Sequence, residues 1–280
     1  MNTYYDFYTI KFEDFSVLNS SSKSKVFFDN KLIVLKSDHP VSIKKIKTLC
    51  SSFGKLYQNE KGNNFFIDND PFVLRISNNS NSKSIKGLFH NFPLHWHNDF
   101  AHTPGDFHGT ALYNYRNGEK AQMQFIDTQE AYKGLEISIK KRYEDLCLPH
   151  KISKKSLIEK TLSPAEERLL KMKQYKIKGY FPHNYLNDPV MRPLFPTHPV
   201  TKKQSIYLSP TTVDSSFLGK DYSSILNHCL KYVKSFTWDK YDLLLIDNLS
   251  LMHARSAFSG DRELHRIQFN YENAKYIDRA

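Results

Sequence analysis

Apolar and polar positions alternate through Tyr4–Phe12 and again through Phe65–Ser77, the period of a strand with one buried face. Lys25–Lys36 reads as further strand-like sequence with a turn at Asp29-Asn30. Val41–Cys50 has the helical period instead: Ile43, Ile46 and Leu49 share one face, Ser42 stands at the N-cap, and the element closes before Gly54. Thr110–Tyr115 and Gln122–Asp127 read as a strand pair joined by the turn sequence Arg116-Asn117-Gly118-Glu119. Helical patterns follow over Thr128–Leu146 and Ser153–Tyr175, the second restarting where Pro164 sits at a first-turn position. A proline-punctuated stretch leads to a strand at Ser205–Leu208, a helix at Tyr222–Ser235, a buried strand at Tyr241–Asp247 and a closing strand at Leu264–Tyr271. Strands at both ends with helices between predict an α+β chain with a mainly β core, a sandwich or barrel decorated by helices. The expectation is one domain over 1–280, with a helical insert at about 150–185 as a lid.

Composition narrows the setting. The 280 residues are 40% hydrophobic and 25% charged, too apolar for a disordered chain. The longest aliphatic run, Leu243–Ile246, is far too short to span a membrane. The first fifteen residues lack the basic-then-apolar layout of a secretory leader. Cys50, Cys147 and Cys229 lie far apart, which argues against a disulfide framework or a thiolate zinc site. A soluble, cytoplasmic protein is expected. The net charge of +11 comes mostly from scattered lysine pairs such as Lys44-Lys45 and Lys202-Lys203. That pattern does not favour nucleic acid as a partner, and it equally suits a protein that attracts small anions.

Most of the twelve histidines, among them His102 and His150, have no neighbours that suggest chemistry. His97 and Asp99 differ, because residues two apart on an extended segment face one way and can offer an imidazole and a carboxylate to one ion. His95 offers a competing pair with His97. Beyond the buried strand come His253, Arg255, Arg262 and Arg266, and the spacing of four keeps the last two on one strand face. Two histidines and one carboxylate form the facial set of non-haem Fe(II) oxygenases, and an arginine fork suits a carboxylate. Together they point to iron with a dicarboxylate cosubstrate.

The blocks SerPheGlyLysLeu (52–56), LeuHisTrpHisAsnAspPhe (94–100), ArgProLeuPheProThrHisProValThr (192–201), LeuIleAspAsnLeuSerLeuMetHisAlaArgSerAlaPhe (245–258) and GlyAspArgGluLeuHisArgIle (260–267) resemble the taurine dioxygenase family of Fe(II)/2-oxoglutarate-dependent oxygenases. The resemblance implies a double-stranded β-helix, or jelly roll, with Fe(II), 2-oxoglutarate and O2. It makes His97, Asp99 and His253 the metal ligands and Arg262 the partner of the distal carboxylate of 2-oxoglutarate. Arg266 matches a position that grips a substrate anion in some members, with a structural salt bridge as the alternative. His95 and the aromatics Phe100, Tyr113 and Phe195 are candidate substrate walls. Arg255 is expected to pack near the site rather than touch ligand, and Asp247-Asn248 to support the turn that presents His253. Within the family, the 247–258 stretch is most similar to the branch that oxidises isonitrile-bearing, amino-acid-derived carboxylates in bacterial secondary metabolism.

Two positions depart from the pattern. Met123 falls where the family has a cosubstrate-binding threonine, which leaves Gln122 or Gln124 as substitutes, and Ala254 replaces a frequent glycine. The implied activity couples decarboxylation of 2-oxoglutarate to succinate with hydroxylation, desaturation or a related oxidation of a small anionic or amino-acid-like metabolite. The presence of Asp99 argues against halogenation, because halogenating members lack this carboxylate. Alternatives are an oxygenase of the same fold acting on nucleic acid or protein, and a non-catalytic binding member. Family members often self-associate, so a homo-oligomer is an open expectation.

Overall fold

The computed structural model describes residues 7–59, 66–77, 93–105, 108–116, 121–151 and 189–276. Two sheets face each other. The larger has seven strands in the order β1 (Tyr8–Lys11), β2 (Leu32–Lys36), β11 (Leu243–Asp247), β6 (Gly109–Arg116), β13 (Glu263–Phe269), β4 (Asp70–Ser77) and β3 (Phe66–Ile67). The smaller has four, β10 (Val233–Phe236), β7 (Met123–Asp127), β12 (Leu251–Arg255) and β5 (Leu94–His97), and a separate ribbon pairs β8 (Cys147–His150) with β9 (Val190–Pro193). The expected jelly-roll core is what the chain adopts.

Strand parity explains the layering. In β11, Leu243 and Leu245 join an outer cluster under the N-terminal helices, whereas Leu244 and Ile246 point between the sheets. β2 does the same with Ile33 and Leu35 outward and Leu32 and Val34 inward. A strand covered on both faces must read as a continuous apolar run, which is why LeuLeuLeuIle needs no polar alternation. The outer cluster is capped by α1 (Phe12–Ser16), α2 (Ser20–Asn30) and α3 (Ile43–Ser51). The far face of the small sheet is covered by α4 (Thr128–Gly134) and α6 (Asp221–Leu230), through Ile126, Met252, Ala131 and Ile225. A further α-helix among the described residues is α5 (Ile137–Arg142).

Several sequence expectations are corrected. Lys25–Lys36 is not a strand with a turn: its first half belongs to α2, which starts where the Asn19 side chain accepts from Ser22 N–H (2.8 Å) and stops at left-handed Lys31. The buried positions Ser24, Phe27 and Phe28 have helical spacing that the local strand signal concealed. Thr110–Tyr115 and Gln122–Asp127 lie in different sheets and do not pair as a hairpin; the turn expected at 116–119 falls largely outside the described residues. The real two-residue hairpin joins β3 to β4, with Asp68 and Asn69 both at positive φ. Tyr222–Ser235 stops being helical at Leu230, and Val233–Phe236 pairs with β7 instead. Thr128–Leu146 is two short helices, and Ser205–Leu208 bonds piecemeal to Leu194, Pro196 and Thr128 without forming a ladder. The lid expected at about 150–185 and the helix over Ser153–Tyr175 fall outside the described residues. No helix among the described residues is long and apolar enough to cross a membrane.

The outer cluster is aromatic: the Phe27 ring packs at 5.1 Å from Phe28, 5.0 Å from Phe53 and 6.0 Å from Tyr271, and Phe27 is fully buried. Phe27→Ala should lower unfolding stability by about 3–5 kcal/mol in urea titrations. A loss below 1 kcal/mol would show that α2 is dispensable to the core.

Candidate metal and cosubstrate site

The site opens between the sheets. His97 and His253 are direct cross-strand partners of β5 and β12, and their rings lie 4.2 Å apart between centroids. Past His97 the chain leaves the sheet, which brings Asp99 back over both rings: its Oδ1 is 3.8 Å from His97 Nε2 and 3.9 Å from His253 Nε2. One donor atom from each residue lies within 4.8 Å of the others, the only such triad of histidine, cysteine or acidic side chains among the described residues. His97 Nδ1 lies 2.7 Å from the His95 carbonyl, which assigns the hydrogen to Nδ1 and leaves Nε2 bare toward Asp99. Burial lowers both histidines, His253 to about 3, with His97 beside it adding to the effect. Burial alone would raise the Asp99 carboxyl, but Arg266, then His253 and His97, hold it below its ordinary value. Two neutral imidazoles and one carboxylate are the donor set that a divalent iron ion takes.

A β-bulge decides which residues of β5 look inward. His253 pairs with His97 but Arg255 pairs with Leu94, so one extra residue is accommodated between them. Leu94 and His97 therefore both line the cavity, while Trp96 packs on the far side and His95 is exposed. His95 contributes its carbonyl to His97, not its imidazole to the cavity. The competing pair of histidines is thereby set aside.

A polar clamp holds the two ligand-bearing segments together. Asp99 N–H donates to Asn248 Oδ1 (2.8 Å), and Asn248 Nδ2 donates back to the Asp99 carbonyl (2.9 Å). Asn98 Nδ2 donates to the carbonyls of Asn248 (2.9 Å) and Leu251 (3.1 Å). Buried Asp247 organises the turn from β11 to β12 by accepting from Leu249 N–H (3.2 Å), the Tyr271 hydroxyl (3.0 Å) and the Ser250 hydroxyl. Asp247-Asn248 thus supports the turn, and His253 lies within a strand of its own rather than in a loop after β11.

The cavity beside the triad holds Arg255, Arg262 and Arg266. Arg266 Nη1 donates to Asp99 Oδ1 (3.1 Å) and its guanidinium lies 4.9 Å over the Phe100 ring. Arg262 lies between Trp238 (5.7 Å) and Phe258 (5.3 Å), and Arg255 is 4.7 Å from the same Phe258 ring. Burial lowers Arg262 to about 9, with Arg255 adding to it, and lowers Arg255 to about 10. Strand parity also resolves the glutamines. Met123 and Phe125 point inward with His253, so Gln122 and Gln124 face the other way; Gln122 is exposed and Gln124 sits opposite Ala254 and Ser235. Neither lines the cavity. Tyr113 and Phe195 are likewise core residues, Tyr113 on the outer side of β6, where its hydroxyl accepts from Val41 N–H (2.9 Å).

Beyond the ligand loop lies a polar group that sequence reasoning passed over. His150 is fully buried, with Nδ1 2.9 Å from Thr212 Oγ1 and no partner at Nε2. Thr212 donates to Ser209, whose hydroxyl accepts from Asn98 N–H (3.2 Å), between the two metal-ligand candidates. The Tyr207 ring meets His150 edge-on at 5.4 Å and lies within the field of Asp99. Arg192 ties the loop down, donating to the carbonyls of Ala101 (3.3 Å), Thr103 (2.7 Å) and Gly105 (3.3 Å). These residues converge from distant segments, and no local spacing announces them.

With this geometry in view, comparison with known proteins is decisive for the class. Residues 8–268 match the model of the taurine catabolism dioxygenase TauD, TfdA family. The chain belongs to that family and is an Fe(II)/2-oxoglutarate-dependent dioxygenase, using Fe(II), 2-oxoglutarate and O2. Among solved structures, AAD-2 in complex with Mn(II) and N-oxalylglycine is similar over 98% of this chain and 97% of its own, at 18% identity and a TM-score of 0.66. A taurine dioxygenase from Burkholderia xenovorans is similar over 91% and 83%, at 14% identity and a TM-score of 0.64. No curated protein sequence matches significantly.

Asn248→Ala removes both bonds to the Asp99 backbone. Affinity for Mn(II), followed by the loss of the free ion's electron paramagnetic resonance signal, should fall about 10- to 100-fold in protein whose circular dichroism is unchanged. Unaltered affinity would mean that Asp99 is held by other contacts.

Proposed function

We propose that this dioxygenase oxidises a small anionic or amino-acid-derived carboxylate, with His97, Asp99 and His253 holding the iron and Arg262 holding the distal carboxylate of 2-oxoglutarate. The carrying observation is the juxtaposition of the triad with a buried arginine in one cavity walled by Leu94, Leu112 and Leu264. When bound, the iron and 2-oxoglutarate together supply the oxidising power, with succinate and CO2 as co-products. The chain supplies placement. The bulge aims His97, the Asn248 clamp fixes Asp99, and the apolar walls keep bulk water from the reacting atoms. With iron bound, Asp99 would supply the carboxylate ligand that a halide would otherwise have to replace, which supports hydroxylation, desaturation or a related oxidation over halogenation.

The ion pair with Asp99 favours a positioning role for Arg266 over a direct grip on a substrate anion. His150 and Tyr207 are buried beyond the ligand loop and do not line the cavity that holds the triad. Burial, then Arg192, lowers His150 to about 3, so at neutral pH its bare Nε2 accepts a hydrogen bond. The Tyr207 hydroxyl, kept protonated by burial, donates one. The apolar cavity between the sheets supports a small molecule over nucleic acid or protein.

Anaerobic addition of Fe(II) and then 2-oxoglutarate should produce a visible charge-transfer band that requires both. His97→Ala should abolish it, and Arg262→Gln should shift its half-saturation to at least tenfold higher 2-oxoglutarate. Folded wild-type protein with no band would refute the assignment of this site.

A further inference from the structure

Resting on the cosubstrate reading above, we infer that Arg255 is a second ligand for the distal carboxylate, so that 2-oxoglutarate is held by a two-arginine clamp built on the Phe258 ring. Arg255 is two residues beyond His253 on β12, and parity therefore turns both side chains to the interior. Its guanidinium shares the Phe258 ring with that of Arg262, at 4.7 Å and 5.3 Å. Both line the cavity that holds His97, Asp99 and His253.

The neighbouring strand explains why a second donor is needed. The residue paired with Arg255 across the sheet is Met123, buried and facing the same cavity. A thioether offers no hydrogen to a carboxylate. Gln122 and Gln124, which carry donors, are turned away by the alternation of β7. A carboxylate has about four acceptor sites, and one guanidinium can satisfy only part of them. Two guanidiniums side by side offer one carboxylate more donors than either does alone. Phe258 serves both, presenting its ring to each guanidinium and fixing their separation. The ligand chemistry that fits is a carboxylate carrying its own full charge at the end of a short chain, the other end of which reaches the triad.

The test uses N-oxalylglycine and N-methyloxamate, which has the same chelating end without the distal carboxylate. Binding of each to the Mn(II)-loaded protein is measured by isothermal titration calorimetry. Wild type should prefer N-oxalylglycine strongly. Arg255→Gln and Arg262→Gln should each lose about 10- to 100-fold in affinity for it, with little change for N-methyloxamate. The double variant should bind the two probes alike. Arg255→Lys keeps charge and stem, so it guards against loss of folding, and it should lose severalfold because a lysine cannot form the fork. If Arg262→Gln weakens N-oxalylglycine while Arg255→Gln and Arg255→Lys bind it as wild type does, the clamp is refuted and the cosubstrate assignment stands. If wild type does not bind N-oxalylglycine, both fall.

Discussion

Everything at this site depends on one cross-strand pair, His97 opposite His253. Facing positions on neighbouring antiparallel strands bring Cβ atoms to about 5 Å, so the two imidazoles meet without help from a loop. The third ligand cannot come from the same ladder, because Asn98 would occupy the next position on the wrong face. The chain therefore turns out of β5 after His97, and that turn must be held by something other than sheet hydrogen bonds. Asn248 does so through both backbone groups of Asp99. Its own position is set by Asp247, the last residue of the fully buried β11. The metal geometry is thus tied to the most apolar strand in the chain.

That coupling also explains which parts were legible in the sequence. His97, Asp99, His253, Arg262 and Arg266 were readable from their spacing, although a shared strand face is not what places them all: β5 ends at His97 and β13 begins at Glu263, so Asp99 and Arg262 lie off the strands. The buried strand was readable from LeuLeuLeuIle, and Ser42 caps α3 as expected, accepting from Lys45 N–H at 3.4 Å. Gln122 and Gln124 failed as cosubstrate residues because alternation says which residues face together, not which set faces inward. Only the pairing of β7 with β12 settles that Met123 does. His95 failed because the bulge breaks the alternation on which the reading relied.

Other features needed the third dimension altogether. Thr110–Tyr115 and Gln122–Asp127 have the local chemistry of a hairpin, yet each finds more apolar surface to cover in a different layer. β6 lies near the centre of the large sheet between β11 and β13, where Ala111 and Tyr113 serve the outer cluster and Leu112 the inner one. The same competition turned Lys25–Asn30 into helix, since Phe27 and Phe28 can reach Phe53 and Tyr271 together only from adjacent positions on a helical face. His150 and Tyr207 belong to this class too. Their relation to Asn98 runs through Thr212 and Ser209, residues with no distinguishing local pattern.

Charge closes the account of the cavity. Asp99 stands against three guanidiniums, and Arg266 donates to the same oxygen that faces both histidines. A divalent cation bound there adds positive charge beside these guanidiniums, in surroundings where burial weakens screening. A dicarboxylate brings two negative charges to the same enclosure, so cation and dianion enter as a neutral pair. Each then lowers the electrostatic penalty of the other, and because binding free energies are linked, the benefit is mutual. A cavity with a single arginine would offer fewer donors to a second carboxylate and discriminate less sharply between a dicarboxylate and a monoacid. On the proposed assignment, the arginines beside the triad thus serve as the selectivity device for the cosubstrate.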